Sequence, residues 1–145
     1  MAEYTNVERP FLDKLRQCGW HVIDQGPGIP QEPERSLRTT FKEVILSDEF
    51  KKAIRKINLT PDGREWLTEN QLNDLLYLIR DFHGKSLHEA NKEIYRLLLK
   101  GTTVSRNELT GETNPSVRFV DFKSWDKNSF TALKTDMPIC PRTIP

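Results

Sequence analysis

The sequence predicts an α+β fold, predominantly helical with a small, incomplete β-sheet. Three observations carry that expectation. Apolar residues recur at helical spacing through much of the chain up to Gly101. Thr68 with Gln71 and Ser86 with Glu89 form two boxes in which a hydroxyl and an acceptor three residues on satisfy the first amide donors of a helix reciprocally. After Gly101 the period changes to two, as a half-buried strand requires.

In "NVERPFLDKLRQCGW", Val7, Phe11, Leu12 and Leu15 fall on one stripe and Gly19 stands where a C-terminal cap belongs. A first helix is expected over 7–18, and Trp20, Val22 and Ile23 then predict a short strand before the Pro/Gly-rich loop "DQGPGIPQEP". Ser47 is placed to cap the next helix, with Asp48 and Glu49 at its positive end and Phe50, Ala53, Ile54 and Ile57 on its inner stripe. Its other face carries Lys51, Lys52, Arg55 and Lys56. Such a run is either a solvated helix face or a nucleic-acid-binding patch.

The helix after Thr68 turns Leu72, Leu75, Leu76 and Ile79 inward and is expected to end at Gly84. The one after Ser86 turns in Leu87, Ala90, Ile94, Leu97 and Leu98 and ends at Gly101. "TTVSRN" and "SVRFVDF", joined by the turn "TGETNP", predict a hairpin with Val117 and Phe119 on one face and Arg118 and Val120 on the other. So small a sheet leaves edges that need more strands or a partner, and self-association through such an edge is one expectation. From Leu133 the pattern gives way to a proline-spaced tail, so residues 1–132 are expected to be ordered and 133–145 irregular.

Composition bounds the function. With 22 basic and 21 acidic residues there is no global field to draw in nucleic acid or an anionic membrane. No apolar run approaches the roughly 20 residues of a membrane span, and the N-terminus lacks the layout of a signal peptide, so a cytoplasmic protein is expected. Cys18 and Cys140 are far apart and read as free thiols. His21, His83 and His88 have no ligand spacing, and phosphate-cradling or hydrolase motifs are absent. Glu49-Phe50-Lys51 spells E-x-K and Pro61-Asp62 spells P-D. On a helix, however, Glu49 and Lys51 lie about 200° apart, so neither pattern reads as a nuclease site.

Seven blocks in order, "ERPFLDKLRQCGW", "SLRTTFKEVIL", "KKAIRKIN", "LTENQLNDLL", "LHEANKEIYRLLLKGTTV", "VRFVDF" and "NSF", resemble the N-terminus of the restriction (R) subunit, HsdR, of type I restriction-modification enzymes. The resemblance covers residues 7 to about 132 and implies the opening part of a PD-(D/E)xK endonuclease domain within an ATP-driven DNA translocase. It implies Mg²⁺ and ATP as cofactors of the full-length family, and DNA with the methylation and specificity subunits as partners. Glu8 matches a family glutamate near the metal, which makes it the candidate catalytic acid; a first-turn glutamate favoured by the helix dipole is the structural alternative. Glu89, Asn91 and Asp121 lie in matching blocks but receive no role. Where the family continues through an Asn-Gln-Phe strand to the catalytic aspartate and E-x-K, this sequence reads "TALKTDMPICPRTIP". The resulting expectation is an inactive fragment of an R subunit, truncated or frameshifted. The competing expectation is a non-catalytic module that binds DNA or a partner subunit.

Overall fold

The computed structural model describes residues 3–26 and 32–134, and the chain divides into two units, residues 1–44 with 129–145 and residues 45–128. The architecture is α+β and mainly helical, with two separate two-stranded sheets among the described residues.

In the first unit a π-helical turn, Tyr4–Glu8, closed by a bond from the Arg9 N–H to the Tyr4 carbonyl, runs directly into helix α1, Arg9–Gln17, which carries Pro10 just after that turn. Helix α1 ends as the sequence predicts. Gly19, at φ +84°, donates its N–H to the Arg16 carbonyl, and the Trp20 N–H reaches the Leu15 carbonyl. These are the two bonds of a Schellman cap, and they need a residue that tolerates positive φ. The apolar stripe is only partly right: Leu12 is buried, whereas Val7 and Phe11 are exposed.

Strand β1, His21–Asp24, pairs in parallel with strand β4, Thr131–Lys134, so that Val22 faces Ala132, Ile23 faces Leu133 and Asp24 faces Lys134. Order therefore does not stop at Leu133, and the expected tail boundary falls inside a strand. Ala132 and Leu133 gain their regularity from β1, a partner remote in sequence, so no local period announces it. The rest of the tail, including Cys140, lies outside the described residues.

The second unit holds the main core. Helices α2 (Ser47–Ile57), α3 (Glu69–Arg80) and α4 (Leu87–Lys100) join a short hairpin of β2 (Thr102–Thr103) and β3 (Ser116–Val117). Ile54, Leu67, Leu72, Leu75, Leu97, Val117 and Phe119 form one buried cluster. Both predicted capping boxes are complete, with Thr68 and Ser86 each accepting the backbone N–H three residues on. Ser47 does not cap α2: Leu46 holds that position, and the Ser47 hydroxyl turns back toward the Ile45 carbonyl.

Helix α3 stops at Arg80 instead of Gly84, because the Asp81 carboxylate draws the His83 N–H into a local turn that competes with another helical bond. On α4, Ala90 and Leu97 are buried, but Leu87 and Leu98 are exposed. Leu98 lies about 100° round the axis from Leu97, beyond the width of the inner face.

Asn58 ties α2 to β3. Its Oδ1 accepts the Arg118 N–H at 2.8 Å, and its Nδ2 donates to the carbonyls of Ile54 and Arg118, both at 2.8 Å.

Candidate functional site

The four basic residues of α2 are engaged within the unit. Lys51 Nζ sits 2.5 Å from Glu69 Oε1, and Arg55 Nη2 sits 2.7 Å from Glu69 Oε2. Two cations thus converge on the first residue of α3, where a negative charge also favours the helix dipole. Their bonds hold the Glu69 carboxyl below the usual carboxylate range. Lys52 pairs with Glu49 at 2.7 Å, and Lys56 donates to the carbonyls of Asp126 and Asn128. Glu49 and Lys51 therefore have different partners, as the helical geometry of that E-x-K requires.

Glu89 completes the capping box of α4. Asp121 is almost fully buried and accepts the N–H groups of Ser124 and Lys123, which hold its carboxyl low.

Glu8 stands in a different setting. It ends the π-helical turn, and its Oε2 lies 3.4 Å from Lys134 Nζ, on the last residue of β4. The Lys134 ammonium also donates to the Gly26 carbonyl at 3.0 Å and lies over the Tyr4 ring, 5.3 Å from its centroid. Asp24, opposite Lys134 in register, accepts the Tyr4 hydroxyl at 2.7 Å and the Gly26 N–H at 2.9 Å. Parallel strands present ligand sites at their carboxyl ends, and this group collects at that end of β1 and β4. Tyr4, Asp24 and Lys134 were not singled out by sequence. Asp24 closing the apolar run "HVID" was the available signal; Lys134 had none without knowledge of the parallel pairing.

Burial pushes the Asp24 carboxyl up, but the Tyr4 hydroxyl, the Gly26 N–H and the charges of Arg16 and Lys134 outweigh it and leave it below its ordinary value. The same bond to Asp24, with burial, raises the Tyr4 hydroxyl. A depressed carboxylate stabilises the fold above its unfolded value, near pH 4, and loses that contribution as pH falls through the folded value. A raised phenol stabilises below about pH 10 and loses its contribution as pH rises through the folded value. The stability difference between the protein and Tyr4→Phe is thus expected to be flat from about pH 5 to 9 and to shrink below about pH 4 and above about pH 10. Urea titrations across pH measure it; an undiminished difference at about pH 2 would show that the bond is not what Phe removes.

The family described as "Type I restriction enzyme R protein N terminus" matches residues 1–135. The chain is 25% identical over 124 residues to the putative type I restriction enzyme MjaIXP endonuclease subunit of Methanocaldococcus jannaschii, covering 86% of this chain and 11% of that protein. It is 24% identical over 133 residues to the type I restriction enzyme HindI endonuclease subunit of Haemophilus influenzae, covering 92% of this chain and 12% of that protein. The chain thus spans about an eighth or less of these relatives' length. No solved structure matches.

Proposed function

Since the chain belongs to the family of type I restriction enzyme R protein N termini, we propose that it is the opening part of an R-subunit endonuclease region, with Glu8 as an acid beside the metal ion of DNA cleavage. The observation that carries this is the position of Glu8 at the carboxyl end of the parallel β1–β4 pair, where it shares Lys134 with the Gly26 carbonyl and Asp24 is the register partner of that lysine.

These groups suit a hard divalent ion, since Mg²⁺ takes one or two carboxylates and keeps several waters. Glu8 and Asp24 would hold it, with the Gly26 carbonyl adding a third oxygen. When bound, such an ion polarises a phosphoryl oxygen and makes a water nucleophilic near neutral pH. The chain's own part is placement. Helix α1 and its π-helical entry set Glu8, β1 sets Asp24, and Tyr4 orients the Asp24 carboxylate. Among the described residues no three His, Cys, Asp or Glu side chains are grouped to hold a metal, and the sequence carries no strand-borne E-x-K. Acting by itself, the chain does not cut DNA. In a full-length R subunit the remaining catalytic groups, the ATP-driven motor and the contacts to methylation and specificity subunits come from other segments. Among the described residues no helix is long and apolar enough to cross a membrane.

Supercoiled plasmid incubated with the purified chain, Mg²⁺ and ATP is expected to stay uncut. Reproducible cutting that Glu8→Gln abolishes would overturn the inactivity while supporting Glu8; cutting indifferent to Glu8→Gln would overturn the role given to Glu8.

A further inference from the structure

Lysine is rarely buried, because its ammonium is compact and strongly hydrated. Lys134 is an exception: its side chain is only 9% exposed, while Glu8 beside it is 35% exposed. Among the groups that meet that charge are a carbonyl oxygen from Gly26, a carboxylate oxygen from Glu8 and the face of Tyr4. The Asp24 carboxylate stands opposite in register, oriented by the same Tyr4. Carboxylate and carbonyl oxygens are what a hard divalent ion selects, and here one of each lies against a monovalent cation.

We propose that Lys134 is a positioning residue for Glu8, an internal cation that holds the carboxylate at the strand ends and that a divalent ion must displace in order to bind there. This rests on the metal-side role given to Glu8. Three features support it. The ammonium sits on the last residue of β4, at the end of a four-carbon stem that can swing away without breaking the strand pairing. Its Glu8 contact is 3.4 Å, long enough for a charge-assisted bond to be surrendered to a better ligand. Removing the lysine takes away the cation paired with Glu8, which also helps to hold the Asp24 carboxyl low, and so raises the demand for a replacement cation.

The test is Mn²⁺ binding to the full 145-residue chain, followed by the electron paramagnetic resonance of free Mn²⁺, with far-UV circular dichroism as the check on folding. Lys134→Met is expected to bind Mn²⁺ at least ~10-fold more tightly than the unmodified chain, and Lys134→Arg, which retains the charge, to stay within ~3-fold. Glu8→Gln added to Lys134→Met is expected to abolish the gain. A folded Lys134→Met with unchanged affinity overturns the displacement. A gain that Glu8→Gln does not touch overturns the metal-side role of Glu8 and leaves the displacement by Lys134 standing at other ligands. Should Lys134→Met fail to fold, the unmodified chain decides. Saturating Mg²⁺ is expected to move the Lys134 ε-methylene NMR signals toward those of exposed lysines, and unmoved signals overturn the proposal.

Discussion

Gly101→Ala is expected to destabilise the unit of residues 45–128 by about 4 kcal/mol or more, enough to unfold many domains of ordinary stability. Gly101 has φ +70° and ψ −159°, a region essentially closed to residues with a side chain and costing such a residue about 1–3 kcal/mol. Space compounds the problem. A Cβ there would lie 2.2 Å from the Val117 carbonyl oxygen and 3.1 Å from its carbon, both backbone atoms. Relief requires moving β3 away from the end of α4, and Val117 is completely buried in the core cluster. The shift would therefore also open packing around Leu97 and Leu72. Urea unfolding followed by tryptophan fluorescence measures the loss. A loss under about 1 kcal/mol would mean that the helix end repacks freely, against the close approach seen here.

The same residue shows which parts of this fold sequence could reveal. A glycine ending a helix is a local signal, and so are the two capping boxes and the Schellman glycine, because each bond spans three to five residues. All four stand where the sequence places them. Errors arise where a residue's surroundings come from elsewhere in the chain. Leu87, Leu98, Val7 and Phe11 fit the helical spacing but stay exposed, and Ser47 sits one position inside the helix it was expected to cap. Strand β4 was hidden for the same reason. Its partner β1 is remote in the chain, and the bond from Lys134 to Gly26 spans 108 positions. The candidate site inherits this limit. The resemblance supplied Glu8, but its surroundings of Asp24, Tyr4 and Lys134 exist only once two distant strands are laid side by side.

Asn58→Ala is expected to cost about 2–4 kcal/mol, because it strands the backbone groups that the buried Asn58 amide now satisfies. The residue is 8% exposed and uses its whole amide: one oxygen toward the Arg118 N–H, and one nitrogen shared between the carbonyls of Ile54 and Arg118. Alanine leaves the Ile54 carbonyl its bond from the Asn58 backbone N–H but leaves both Arg118 backbone groups without the partner that reaches them from α2. The pattern also predicts how the substitutions rank. Asn58→Asp retains the acceptor for Arg118 but sets a second carboxylate oxygen against two carbonyls, so at neutral pH it should be at least as damaging as alanine. On acidification the aspartic acid gains one O–H and can donate to one of those carbonyls, and its deficit should narrow relative to Asn58→Ala below about pH 5. Trp66 reports on the site directly, since its Nε1–H donates to the Asn58 carbonyl at 2.5 Å. Urea midpoints at pH 7 and pH 4.5 for the three proteins measure the ranking. An Asn58→Asp variant as stable as the unmodified protein at pH 7 would show that the two carbonyls do not depend on the amide donor.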